Sequence, residues 1–394
     1  MAQSGFRGEV VTLFKSKIGY RDLEWISDEV QWFDIGEILS QSTISTIPNP
    51  LFERNYSGKK IIMDSAGVLW CCFYTNIQEQ YRIYVYKSTD DGETWTDSSF
   101  PDTLGWSRPV MVIYDNMVYV FFQDVQIKYC YWNGSAWSAY GTVLADVYSK
   151  NLPSVAVDSA GHIHITCDRY NNFRNRYEVV YSYDFGPWEI VAASTTYDYY
   201  QPSICTDENN KPHIAFIGAT ESNSNIHPIY TNKVLGSWSS IVSIDNPLIN
   251  QSNVCIQAIG TKIHAVWAGR NDSASPRYVK YSVFDGVVWS DWIYLTYGYS
   301  SLLPFMDVVN DNIYVLCTYQ LTEFSTKQLA EAFFRDGILD AGVKQSTDVT
   351  NVSFCYGNNC IYAAYTTNTC VRFLKYGLKG WKDAVMNHYD GNWK

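Results

Sequence analysis

The chain has 394 residues, 46% of them hydrophobic, which is enough to bury a substantial core either as several domains or as one large unit. Charged residues make up only 18%, the formal balance is −11 and no Lys/Arg cluster stands out, which argues against nucleic acid or an anionic membrane as the main partner. The 32 Tyr, 18 Phe and 14 Trp favour strands over helices, and no run approaches the roughly 20 apolar residues a bilayer-crossing helix needs, so no membrane insertion is expected.

In chain order, Met1 to Val10 lacks the apolar core of a signal peptide, so synthesis in the cytoplasm without a leader is the expectation. Residues 1–47 differ from the rest and read as an N-terminal arm. Glu9 to Phe14 and Val30 to Leu39 are strand candidates, and Ser40 to Thr46 is a Ser/Thr linker. The segment either closes a ring formed by the remaining residues or docks on a partner. The ten cysteines sit mostly in apolar runs without CxxC spacing and read as buried thiols rather than a disulfide or metal framework. Cys355 and Cys360 are the one pair to check for a bridge.

From about residue 48 to 394 the chain repeats. Trp70, Tyr119, His164, His213, His264, Tyr314 and Tyr362 each begin an apolar strand after a turn, at spacings of 45 to 51 residues. A second column comes at Trp95, Trp137, Trp188, Trp238, Trp289, a degenerate Ile338-Leu339 and Trp381. Between the two lies a third strand marked by Tyr86, Tyr131, Tyr181, Tyr230, Tyr281, Phe333 and Phe373, and prolines 109, 153, 202 and 304 open a strand before the first column. Each unit therefore reads as four strands, and the fold expected is all-β: a β-propeller of seven four-stranded blades, with six or eight also open.

The first unit carries Ser88-Thr89-Asp90-Asp91-Gly92-Glu93-Thr94-Trp95. Asp90 and Thr94 can bond backbone amides across a tight hairpin, Gly92 can take positive φ, and Trp95 can start the returning strand. At every fixed position this stretch resembles the Asp-box (S/T-x-D-x-G-x-T/S-W) of the bacterial neuraminidase repeat, whose box joins the two outer strands of a propeller blade. Weaker copies recur, as in Asn133-Gly134-Ser135-Ala136-Trp137 and Asp285-Gly286-Val287-Val288-Trp289. The structural set is Ser88, Asp90, Gly92, Thr94 and Trp95.

His164, His213 and His264 share a column with Trp and Tyr, so they read as packing positions between blades rather than metal ligands. His162, beside a turn, reads as solvent-facing. The Trp column reads as edge packing, and Trp106, Trp267 and Trp292, outside it, are better candidates for a ligand surface. Loops between second and third strands are long in several units, and strand direction puts them on one face with the blade-to-blade connections. That face gathers the ligand-binding candidates Arg108, Asp168, Arg169, Tyr170, Arg270, Asp272 and Tyr319, with Tyr74, Gln123, Asp124, Arg174 and Glu221 nearby. Convergence of Arg169 and Arg270 would make a carboxylate site.

For a sialidase the resemblance implies an arginine triad, an acid/base Asp and a Tyr activated by Glu. Here only Ser107-Arg108-Pro109 keeps an Arg followed by Pro, and no Tyr/Glu pair can be assigned, so no catalytic residue is named. A polysaccharide lyase would need a Tyr or His base beside a neutralising Arg, which Arg169 and Tyr170 could supply. The leading expectation is a non-catalytic recognition or assembly module. Its loop-rich face would bind glycan or protein, its arm would attach to a larger body, and its style is similar to propellers of phage tails and other virion appendages. The alternative is a sialidase-like hydrolase or a lyase acting on acidic glycans. No cofactor or metal is called for.

Overall fold

The computed structural model describes residues 38–47, 50–52, 58–77, 80–101, 107–143, 150–220, 226–245, 251–270, 277–295, 300–309, 312–320, 328–335, 338–345, 349–367 and 369–377. The strand candidate Glu9 to Phe14 lies outside the described residues, as do Trp106, Trp381, Asp272, Glu221 and all of the candidate Val30 to Leu39 except Ile38 and Leu39, which lie in a strand. Every described element is a strand, and the chain is an all-β propeller.

Among the described residues seven antiparallel sheets succeed one another along the chain. The first comprises Pro50–Leu51, Ile61–Met63, Leu69–Ile77, Gln80–Ser88 and Thr96–Asp97, and the second Ser107–Tyr114, Met117–Gln123, Ile127–Trp132 and Gly141–Thr142. The third comprises Lys150–Val157, Ile163–Asn171, Arg176–Tyr183 and Glu189–Ala192. The fourth begins at Tyr197–Thr206, the fifth at Gln251–Ile259 and the sixth at Ser300–Val309. The last takes Asn351–Gly357, Cys360–Thr366 and Val371–Gly377 from the C-terminal repeat and Ile38–Ser45 from the beginning of the chain.

That last pairing corrects the reading of Ser40 to Thr46 as a linker. Ile38 pairs with Tyr376 and Ser45 with Val371, so the segment supplies the outer strand of the closing sheet. It looked like a linker because an outermost strand needs little apolar content: Ile44 is the one hydrophobic residue here buried among its neighbours.

The core is distributed among the sheets. Trp70, Cys72 and Val85 pack against Met111, Val120 and Phe122 between the first and second sheets, and comparable clusters fill each later junction. Phe305, Tyr314 and Leu316 meet Phe354 and Ile361, and Ile61, Cys71 and Phe73 meet Tyr362, Val371 and Phe373. Period-2 alternation lets each strand serve both neighbours, which is why the middle strands read as continuous apolar runs. Serines stitch the innermost strands together. Ser154 Oγ accepts from the Ile204 amide at 3.2 Å, Ser203 Oγ from Ile256 at 3.1 Å and Ser353 Oγ from Lys60 at 2.9 Å. All ten cysteines are buried free thiols, Cys355 and Cys360 included. Cys355 pairs across the ladder with Tyr362, while Cys360 sits opposite Gly357.

The histidine column is a brace. In the turns at Asp64, Asp158 and Asp207 one carboxylate oxygen accepts two backbone amides of its own turn. The other reaches the column residue: Trp70 Nε1 at 2.8 Å, His164 Nε2 at 3.1 Å and His213 Nε2 at 3.2 Å. On the far side His164, His213 and His264 bond the hydroxyls of Tyr181, Tyr230 and Tyr281 at 2.8, 2.6 and 2.7 Å. Burial holds His213 and His264 down to about 4, so both rings are neutral at pH ~7.

An unfolded imidazole takes its proton near pH ~6.5. Between there and about 4 the unfolded chain binds more protons, so stability is full above about pH 6.5 and falls as the pH drops. Substituting His264 by glutamine is expected to remove up to about 3 kcal/mol of that acid-side loss. Urea midpoints across this window read it, and unchanged pH profiles would rule it out.

The Asp-box hairpin is built as its residues dictate. Ser88 Oγ donates to Asp90 at 2.7 Å and accepts from the Gly92 amide at 2.9 Å, while Asp90 also accepts from the Thr94 amide at 2.9 Å and from its hydroxyl. The Thr94 bonds lead in holding Asp90 down to about 2. Gly92 has φ +90, and a Cβ there would fall 2.2 Å from Phe373. Trp95 Nε1 donates to Ser42 Oγ and Gly92 O, both at 3.2 Å, and its ring meets Phe373 at 5.3 Å. The hairpin of the first sheet thus lies against both Ile38–Ser45 and Val371–Gly377, the first and last of the described strands.

Candidate functional site

In the second to sixth sheets the inner strand starts on the loop-rich face and carries an irregularity there. Ladder register shifts fall between Ser107 and Val110, Asn151 and Ser154, Tyr200 and Ser203, Ser252 and Cys255, and Leu302 and Phe305. Arg108, Leu152, Gln201 and Asn253 take left-handed φ of 57°, 48°, 58° and 58°. Three of them precede a proline, which cannot donate to a ladder and so suits a bulge. Left-handed backbone at non-glycine residues is strained, and such strain concentrates where a side chain must be re-aimed.

At the second and third sheets these bulges present a string of polar side chains. Arg108 Nη1 donates to Gln123 Oε1 at 2.6 Å, Gln123 Nε2 to Asn151 Oδ1 at 2.5 Å and Asn151 Nδ2 to Asp168 Oδ2 at 3.3 Å. Arg108, Gln123 and Asn151 are half-buried, whereas Asp168 is 2% exposed and its Oδ1 carries no hydrogen bond among the described residues. Burial pushes the Asp168 carboxyl up to about 7, against the Asn151 amide, the Gln201 backbone and the positive Arg108.

Two half-buried tyrosines share the field of this string. Tyr177 is raised by burial and then by Asp168 and Asp198, with Arg108 pulling it down, and Tyr200 is pushed up to about 12 by burial, Asp198 and Asp168. The arrangement places a guanidinium, a carboxyl that titrates near neutrality and a phenol on one face.

The other sequence candidates separate. Asp168 and Arg169 alternate along one strand, so their side chains part. Arg169 is buried, and its Nε donates to Glu178 at 2.7 Å. Arg174 and Asn171 bond the same buried carboxylate. Arg169 is therefore a strand staple committed to Glu178, and Arg270 stands two sheets away. Tyr170 donates its hydroxyl to Asn175, but it shares a strand face with Asp168 and its ring lies 5.1 Å from that of Tyr177, so the structure keeps it beside the string. Tyr319 lies at the corresponding end of Asn312–Gln320, opposite Ser301. Trp267 is fully buried, and Trp292 lies 4.0 Å from Lys280 Nζ, an ammonium that pairs with Asp245. Neither offers the open ring expected of it. Among the described residues no group of three or more His, Cys, Asp or Glu could hold a metal ion.

Asn151, Tyr177 and Tyr200 were missed. The available signal was positional: Asn151 comes two residues before Pro153 just as Ser107 comes two before Pro109. The inner strands line a cavity of about 390 Å³, and Lys59 on its lining pairs with Asp307 at 2.7 Å.

No protein-family model matches the chain, and no curated protein matches its sequence. Among solved structures it is similar in fold to an ulvan lyase from a family of polysaccharide lyases, with TM-score 0.60 and 11% identity over 86% of this chain and 97% of that one. The lyase bound to -[GlcA(1-4)Rha3S]- matches with TM-score 0.60 and 12% identity over the same shares. The polysaccharide lyase Uly1 matches with TM-score 0.56 and 9% identity over 87% of this chain and 100% of that one. These likenesses show the propeller fold; the narrower neuraminidase-repeat resemblance rests on the Asp-box hairpin.

Proposed function

We propose that the chain is a glycan-acting propeller whose blades are the seven sheets, and that it cleaves acidic polysaccharide as a lyase. One observation carries the reading: the string from Arg108 to Asp168, mounted on strained bulges beside Tyr177. Arg108 would receive a uronate carboxylate, a role suited to a forked, always-charged donor. Drawing off that negative charge acidifies the neighbouring C–H, which is the barrier a lyase must lower. Tyr177 in its phenolate form, which the Arg108 charge favours against burial and the two aspartates, would take that proton and return it, as the phenol, to the departing glycosidic oxygen. Asp168, too buried to touch substrate, would position the string. The fold likeness to polysaccharide lyases supports this alternative over the recognition-and-assembly module that composition suggested.

The test is incubation with polygalacturonate, hyaluronan and ulvan. A lyase releases an ultraviolet-absorbing unsaturated uronate, and a hydrolase releases reducing ends without that absorbance. Arg108→Ala is expected to lower kcat/KM by about 10²–10³-fold. Binding without product on every acidic polymer would return the chain to the recognition reading.

A further inference from the structure

In the fifth sheet the ladder between Lys262–Gly269 and Tyr278–Phe284 ends on the pair Gly269 with Tyr278. The next residues outward are Arg270 and Arg277, at opposed positions where the hairpin opens onto the loop-rich face, and both are half-buried. Like charges opposed across a strand pair destabilise it. Arg277 Nε is buried without a hydrogen-bond partner among the described residues, and burial first, then the Arg270 charge, holds its guanidinium below the usual range. A guanidinium has five donors in a fixed fork, so one held against another cation is suited to an anion that bridges them.

The platform beneath is built. Gln251, 2% exposed, donates from Nε2 to the Arg270 carbonyl at 2.9 Å. Gly269 has no side chain where a Cβ would fall 1.4 Å from Gln251 Oε1. The backbone bearing Arg270 is therefore tied to the inner strand.

We propose that Arg270 and Arg277 form a second anion site, which takes a carboxylate or sulfate ester of an acidic polysaccharide. The polymeric ligand rests on the function proposed above, whereas the anion pairing rests on the two arginines alone. The fourth sheet separates this site from Asp168, so one polymer chain would present successive negative groups along the arc from the second sheet to the fifth.

The test uses the full chain, with polygalacturonate as a carboxylate-only probe, dextran sulfate as a sulfate-only probe and neutral dextran as control, all at one ionic strength because salt screens such contacts. Arg277→Gln is expected to weaken binding of the favoured probe about 10-fold by calorimetry. Arg277→Lys should fall between, since it keeps the charge and loses the fork. Without polymer, Arg277→Gln should melt higher than wild type. The probe that raises the wild-type midpoint and spares the variant identifies carboxylate or sulfate as the ligand. Equal affinities and equal midpoints for wild type and Arg277→Gln would overturn the site. Arg277-dependent binding without cleavage of any polymer would leave the site standing and remove the lyase reading.

Discussion

Replacing Asp168 by asparagine is expected to make the protein more stable above about pH 7 while lowering turnover on any acidic polymer it cleaves. An unfolded aspartate ionises near pH ~4, but the folded carboxyl does so only at about 7. Between these values the folded state holds the extra proton, so stability declines as the pH rises from about 4 to about 7 and stays low beyond. The cost reaches up to about 4 kcal/mol if the whole shift acts. Asparagine keeps the shape and an acceptor for Asn151 and removes the buried charge. Thermal midpoints of both proteins across this range measure it, and midpoints that coincide at every pH would sink the argument. A gain in stability with a loss of activity is the trade expected of a strained site.

Deleting residues 1–45 is expected to unfold the propeller. Loss of Ile38–Ser45 removes a strand's ladder bonds, exposes Val371 and Phe373, and takes away Ile44 and the Ser42 contact with Trp95. At roughly 1 kcal/mol per ladder bond and about 2 kcal/mol for a buried isoleucine, the loss exceeds about 5 kcal/mol. That rivals the whole stability of many proteins. Near-ultraviolet circular dichroism and urea titration would show it, and a peptide of residues 38–47 should restore part of the signal. A truncated chain with the wild-type midpoint would refute the expectation.

The period was legible because every repeat places an aromatic or histidine at one ladder position, and that regularity survives divergence of everything else. The Asp-box was legible because its bonds are local, spanning Ser88 to Trp95. Convergence was not, because it depends on positions 15 to 28 residues apart in sequence. Arg108 meets Gln123 only across a formed ladder, and Gln123 meets Asn151 only once the second and third sheets are packed. The sequence order that made Arg169 look like the functional neighbour of Tyr170 also turned it away from Asp168. Prolines 109, 153 and 202 were visible as strand openers, but their bulges show only in the ladder.

The register of the closing sheet also decides how the molecule bears load. Ile38 faces Tyr376, so the outer ends of these two antiparallel strands lie side by side. Tension applied between Ile38 and Gly377 would load that end of the ladder first and peel it pair by pair, rather than shearing all its bonds together. The ring would then open at its seam under a small force, whereas the same force applied between two middle strands would meet a whole ladder at once.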